Sequence, residues 1–512
     1  MLEAPTLWEL VVKRATETPD ARMVVDERGD TYTFAEFREA AERAAAGLAA
    51  MGVGEGTVVS WQLPSWRSSM VLVAALARLG AIQNPILPIY REREVGFIAR
   101  QASTKVLIVP STFRGFDYEA MGRGIAADVS GLEVLVSDRS LPEGDPSSLA
   151  PFASPPGELP VRWLFYTSGT TADPKGAQHT DRTIDAAAKG MAERLALVPE
   201  DRHALVFPFT HIGGIIWLFS GLRVGMTNVL DEAFNPDTTI PLLQREDVTL
   251  AGAGTFFHMA YLRAQRDNPG AHLFPHIRAF PGGGAPKPPQ LHYDMRKELG
   301  GAGIVSGWGL TETPILTMAS TKDDDEQLAN TEGFAMPGVL LRAVTLDGKV
   351  GGIDEEGELR AKAPQTMKGY VDSSLDADAF DDEGWFRTGD LGRIDADGMV
   401  TITGRLKDII IRKGENISAK EVEDLLFTHP AVADVAVIGL PDPASGERAC
   451  AVVALKDPST TVSLDDIAAF LKEKSLRVQA IPEQLEIVEA LPRNPAGKVL
   501  KQDLKKRFGG SS

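Results

Sequence analysis

The sequence predicts an α/β protein: a large N-terminal domain of parallel βαβ sheets plus an antiparallel β unit, then a smaller α+β C-terminal domain. Three observations carry this expectation. Apolar, β-branched runs alternate with segments of helical period from Thr57 onward; the texture changes to short strands with turn signals between Leu340 and Thr403; and a smaller block begins after Gly404.

The elements follow in order. TVVSWQL from Thr57, AIQNPIL from Ala81 and KVLIVP from Lys105 read as strands, with helices expected over 65–79 and 92–101 between them. The rhythm resumes in VRWLFYT, HALVFPF, TNVLDE, VTLAGAG, IRAFPGGG and GIVSGWG, so parallel sheets flanked by helices are expected, with ligands beyond the carboxyl ends of their strands. Segments such as LDGKVGG and DEEGELRAK supply the antiparallel unit. Beyond Gly404, residues 420–426 and 464–474 have helical period, while VADVAVIGL and ACAVVALK read as strands. The expected domains are 1–404 and 405–512.

Composition narrows the function. With 512 residues, 43% hydrophobic and 24% charged, the chain is globular and long enough for several folded units. A net charge of −18 disfavours nucleic acid and anionic lipid as partners. The one cysteine, Cys450, excludes intrachain disulfides and multi-thiolate zinc sites, fits a cytoplasmic setting, and lies in an apolar run as a buried structural thiol. The N-terminus lacks the features of a signal peptide. Residues 205–222 are free of acidic residues and apolar, but Pro208, Gly213, Gly214 and Gly221 make them a buried strand–turn–helix, so no transmembrane segment is expected.

The stretch YTSGTTADPKGAQHT over 166–180 combines the hydroxyls of Thr167, Ser168, Thr170 and Thr171 with Gly169, Gly176 and Lys175. Backbone N–H groups, hydroxyls and an ammonium on a loop of little bulk suit a phosphate chain, although the Walker A spacing is absent. Thr180 or Asp181 is placed to cap the following helix. Further along stand FPFTHIGG from Phe207, PGGGAPKP from Pro281, GWGLTET from Gly307, GWFRTGD from Gly384, GRLKDIIIRKGENIS from Gly404 and NPAGKV from Asn494.

These seven motifs, in this order over nearly the whole chain, resemble the adenylate-forming superfamily of acyl-CoA synthetases, adenylation domains and luciferases. The resemblance implies two half-reactions: a carboxylate and ATP give an acyl-adenylate and pyrophosphate, then a thiol gives a thioester and AMP. It implies ATP and Mg2+, with coenzyme A as the thiol. Catalytic roles fall to Lys498, Glu312, Thr311 and His211, with Glu312 the metal ligand. Nucleotide binding falls to Thr167, Ser168, Gly169, Thr170, Thr171, Lys175, Gly283, Gly284, Ala285, Trp308, Gly309, Asp390 and Arg405, of which Asp390 would hold the ribose hydroxyls. Trp308 stands where many relatives carry tyrosine, which preserves a flat face for adenine and removes a phenol. The C-terminal domain would rotate between half-reactions about Lys407 and bring Gly414 to the pantetheine tunnel.

The acyl pocket is expected around His211, Ile212, Gly213, Phe256 and Phe257, with His179 and His258 read as core residues. No acidic residue occurs over 202–230 to hold an α-ammonium, so a hydrophobic acid, medium-chain, alicyclic or aromatic, is the expected substrate. No carrier segment follows Lys498, which favours free coenzyme A. Two alternatives stand beside this reading: an acyl-adenylate ligase loading a separate carrier protein, and a non-catalytic adenylate-binding protein. A homodimer is left open as the oligomeric state.

Overall fold

A computed structural model describes residues 1–167 and 173–509. The first expected strands form a six-stranded sheet in the order Lys175–His179, Trp163–Thr167, Ile82–Pro85, Val58–Trp61, Val106–Val109 and Glu133–Val136. Its pairs are parallel except the first, where Lys175–His179 runs antiparallel to Trp163–Thr167. The departure from a wholly parallel sheet has a local cause. The expected phosphate loop joins two neighbouring strands with too few residues for a crossover helix, so the chain must return as a hairpin.

A second sheet runs Leu250–Ala251, Arg202–Leu205, Thr227–Leu230, Arg22–Val25 and Thr31–Thr33. Its fourth strand comes from the N-terminus, ahead of the region where the alternation begins. Helices Asp181–Arg194 and Ile212–Val224 pack together, and one continuous core holds Trp61, Trp163, Phe209 and Phe219. Residues 205–222 are indeed a buried strand end, turn and helix. Among the described residues no helix is long and apolar enough to cross a membrane.

Phe280–Gly282 and Ile304–Trp308 lie parallel and continue antiparallel into Thr317–Met318 and Phe334–Ala335. The antiparallel unit is a four-stranded meander of Leu340–Val344, Gly357–Lys362, Phe386–Ile394 and Val400–Arg405. A 3-10 turn, Leu406–Asp408, leads from it into Ile409–Arg412, the first strand of a separate five-stranded sheet. That sheet carries helices Ala419–Phe427 and Leu464–Glu473 over its own core, which includes Ile417, Val437, Ala451 and Ile467. Cys450 is buried in Gly446–Leu455, and burial pushes its thiol up to about 12, as befits an inert structural group.

Candidate active site

The phosphate-loop segment is held at both ends. Thr167 and Lys175 face each other across the hairpin; Ser168, Gly169, Thr170 and Thr171 lie outside the described residues. A side chain at Gly176 would put its first carbon 2.6 Å from the Tyr166 ring, so this position needs glycine for the strands to close. On the free edge of Lys175–His179 the segment 368–371 adds a further strand-like pairing: Gln178 N donates to Gly369 O at 3.0 Å and Val371 N to Gly176 O at 2.8 Å. This places Tyr370 beside the loop, with the Lys175 ammonium 5.6 Å from its ring centroid.

Tyr370 links that loop to the Thr311–Glu312 turn. Its hydroxyl donates to Glu312 Oε1 at 2.9 Å, and the buried Glu312 also accepts from Met367 N through its carbonyl at 2.8 Å. Burial, then the Glu312 charge, holds the Tyr370 hydroxyl protonated well above its usual range. His179 braces the same turn from beneath. Its Nε2 lies 2.9 Å from the Thr311 carbonyl, to which it must donate, and Nδ1 lies 2.9 Å from Thr183 Oγ1. Burial lowers this imidazole to about 4, so it is a neutral strut. Neither Tyr370 nor His179 stood among the expected site residues. Thr180 caps the helix after the loop, as the sequence predicts.

The expected ribose end is built from three segments. Buried Asp390 accepts from Trp308 Nε1 on Oδ2 at 2.8 Å and from Arg405 Nε on Oδ1 at 2.6 Å, and its own N–H donates to Thr388 Oγ1. Asp390 and Arg405 are direct partners across neighbouring strands. Gly283, Gly284 and Ala285 leave the carboxyl end of Phe280–Gly282, beside the end of Ile304–Trp308 where Gly309 and Thr311 follow. The expected adenine, ribose and phosphate residues therefore share one rim of strand ends.

Lys498 is brought to that rim by the C-terminal domain. It sits on a tight loop closed by a bridge between Arg493 and Val499, in which Lys498 N donates to Asn494 Oδ1 at 3.0 Å and Asn494 N to the Lys498 carbonyl at 2.9 Å. Burial first, then Arg405 and Lys407, lowers its ammonium to about 8, against the opposing pull of Asp390 and Asp408.

His211 caps the helix Ile212–Val224, accepting from Gly213 N on Nδ1 at 3.1 Å, and burial lowers it to about 4. Its ring packs edge-on against Phe207, and Ile212 is buried beside it. Phe257 is buried in a cluster with Phe234 and Tyr261, whereas Phe256 is more exposed and faces the Lys498 loop. His258 is a core residue, lowered to about 3 by burial, with Nε2 3.3 Å from the Pro281 carbonyl. Lys407 lies in the turn between the two domains; Gly414 is exposed at the tip of the hairpin that follows.

Lys175, the buried carboxylates of Glu312 and Asp390, and the Lys498 ammonium, set along one rim of strand ends, are the arrangement of an adenylate-forming enzyme. The AMP-binding enzyme family matches residues 11–371 and the AMP-binding enzyme C-terminal domain matches 421–498, and the chain belongs to this family as an AMP-forming acid–thiol ligase. It is 32% identical over 504 residues to the medium-chain fatty-acid–CoA ligase of Escherichia coli (strain K12), covering 96% of this chain and 88% of that one. It is 31% identical to the salicyl-AMP ligase / salicyl-S-ArCP synthetase of Mycobacterium tuberculosis (strain ATCC 25618 / H37Rv), covering 98% and 91%. ATP-bound MatB from Rhodopseudomonas palustris superimposes with a TM-score of 0.87 at 27% identity, covering 98% of this chain and 99% of that one.

Proposed function

We propose that the protein is a cytoplasmic, ATP-dependent acyl-CoA synthetase acting on a hydrophobic medium-chain, alicyclic or aromatic acid. Residues 1–404 form the adenylate-forming domain and 405–512 the lid. In the first half-reaction a carboxylate oxygen attacks the α-phosphorus of ATP, the bond to the bridging oxygen of pyrophosphate breaks, and pyrophosphate leaves. In the second, the coenzyme A thiol gives up its proton and attacks the acyl carbonyl, and AMP leaves.

The observation that supports this reading most is the convergence of Lys498 with Asp390 and Arg405 across the domain boundary. Two anions must meet in the first step, so an ammonium between carboxylate and α-phosphate lowers the barrier, and Asp390 fixes the ribose so that the α-phosphorus lies in reach. Thr311 offers a hydroxyl to the same phosphate. Lys175 and the hydroxyls of the loop hold the β- and γ-phosphates. Neutral His211 at the pocket entrance orients the carboxylate through Nε2, since Nδ1 is occupied by the helix N-terminus.

Mg2+ fits the residues present. No group of three or more His, Cys, Asp or Glu side chains able to hold a metal occurs among the described residues, but Mg2+ commonly takes one or two carboxylates and completes its shell with water and substrate phosphates. Glu312, with Oε1 engaged by Tyr370, would hold it through Oε2 and so help neutralise the triphosphate.

The sequence similarity to a salicyl-S-ArCP synthetase keeps carrier-protein transfer as a second reading. The test is pyrophosphate release from MgATP across straight-chain, alicyclic and aromatic acids, with and without coenzyme A. Acid-dependent release with a thioester formed only in the presence of coenzyme A supports the synthetase. Adenylate that accumulates without thioester would shift the reading to a carrier protein, and no release with any acid would sink both.

A further inference from the structure

The loop that carries Lys498 is fastened by a side chain with no part in the chemistry described so far. Arg493 Nη1 donates to the Gly497 carbonyl at 2.5 Å, and Nη2 donates to Asp434 Oδ2 at 2.7 Å. Asp434 is itself fixed at a bulge in the strand Val432–Asp442, where Oδ1 accepts from Val435 N at 3.0 Å. The same guanidinium lies 5.8 Å from the ring centroid of Phe256, which belongs to the N-terminal domain. Arg493 is largely buried there, its side chain 13% exposed.

Gly497 completes the fastening. It has φ +82°, and a side chain on it would place its first carbon 2.8 Å from Phe256 Cβ, so the loop backbone rests directly on that residue. Phe256 stacks edge-on against Phe234 and Phe257 and so extends the aromatic cluster around Tyr261 to the domain boundary. The planar fork of an arginine can bind a carbonyl, a carboxylate and an aromatic face at once; a lysine cannot.

We propose that Arg493 is a positioning residue for Lys498: by tying the loop to Asp434 within the lid and to Phe256 across the boundary, it sets the ammonium beside Asp390 and Arg405 when the lid is docked. This rests on the acyl-CoA synthetase reading above. It assigns Arg493 to the adenylate-forming step alone, because a lid that turns away from the N-terminal domain for the second step would leave Phe256 behind.

The test compares Arg493→Met, Arg493→Lys, Asp434→Asn and the Met/Asn double variant with wild type. Acid-dependent ATP–pyrophosphate exchange reads the first half-reaction; thioester formation from presynthesised acyl-adenylate and coenzyme A reads the second. Because small misplacements of a reacting group cost up to about a hundredfold, Arg493→Met is expected to lower kcat for exchange ~30-fold, with KM for ATP and the second half-reaction each within about twofold of wild type. Arg493→Lys is expected to recover only part of that loss. The double variant should be no slower than Arg493→Met alone, since both changes break one connection. Equal losses in both half-reactions, an additive double variant, or exchange within about twofold of wild type would each overturn the proposal. If wild type itself shows no acid-dependent exchange, the synthetase reading fails and hydrogen exchange decides the positioning role. Arg493→Met should then speed exchange at Asn494, Gly497 and Lys498 while leaving the Gly446–Leu455 strand protected, and unchanged rates at the loop would overturn it.

Discussion

Trp308 Nε1 donates to Asp390 Oδ2 at 2.8 Å, so the indole expected to face adenine also orients the carboxylate expected to hold the ribose. Arg405 takes the other oxygen, and the two donors fix the plane of the group while each oxygen keeps a lone pair for a ribose hydroxyl. Trp308→Phe keeps an aromatic face and removes the donor. A hydrogen bond to a charged group contributes about 1.5–3 kcal/mol, so KM for ATP is expected to rise about tenfold. Steady-state kinetics would check this, and an unchanged KM would mean that Arg405 alone holds the carboxylate.

Tyr370→Phe addresses the phosphate end. It removes a side-chain donor to Glu312 Oε1 and keeps the ring beside Lys175. The freed carboxylate can turn away from the position that faces the triphosphate. We expect kcat/KM for ATP to fall about tenfold, with a higher Mg2+ concentration needed for half-maximal rate. A Mg2+ titration of the variant at saturating acid checks this.

The two pairs explain what could be read in the chain and what could not. Thr311, Glu312, Asp390, Arg405 and Lys498 lie in contiguous motifs, so their residue types and neighbours are visible in one dimension. The resemblance implies that Trp308 offers adenine a flat face, but its bond to Asp390 spans 82 residues and depends on two sheets meeting. Tyr370 reaches Glu312 only because 368–371 pairs with the edge of Lys175–His179, a pairing with no local hydrophobic signature. The strands after Thr57 are announced by their regular alternation with helical segments, whereas Arg22–Val25, of the same length, stands outside that alternation and joins Thr227–Leu230, some 200 residues away.

His179 is a brace, and its loss should register in stability. Replacement by leucine strands the Thr311 carbonyl in a buried site, which costs about 1–3 kcal/mol, whereas the Thr183 hydroxyl keeps its bonds to the backbone of Thr180. Urea unfolding should show a drop of about 1–3 kcal/mol for His179→Leu and a smaller one for His179→Gln. The pH–rate profile between 6 and 8 should not move in His179→Gln, because an imidazole lowered to about 4 stays neutral throughout.

Lys498 is expected to set a pH limit. Burial and the positive charges of Arg405 and Lys407 disfavour its charged form, so the ammonium persists below about 8 and is lost above it. If the cation is the active form, kcat/KM for the adenylate-forming step, which follows the free enzyme, should decline as pH rises through about 8. The decline in kcat should come later, since bound triphosphate restores the charge. Lys498→Arg should have a lower rate but no such alkaline limb, as guanidinium stays protonated. An identical limb in that variant would assign the ionisation elsewhere.

Lys407 tests the change of domain orientation. It lies in the 3-10 turn Leu406–Asp408, the connection between the meander and the C-terminal sheet. In the docked arrangement Ser418 Oγ donates to the Thr403 carbonyl at 2.7 Å and Gly497 rests on Phe256. If the C-terminal domain turns away so that Gly414 meets the acyl-adenylate, and the chain bends at this turn, the contact of Gly497 with Phe256 is lost. Proline at 407 fixes φ near −65° and removes that freedom. We expect Lys407→Pro to retain at least about half of the ATP–pyrophosphate exchange rate and to slow thioester formation by about a hundredfold or more. Lys407→Ala, which removes the side chain but not the torsional freedom, should stay within about threefold of wild type in both half-reactions. Equal loss of both activities in the proline variant, with unfolding midpoints unchanged, would show that the turn is not where the chain bends.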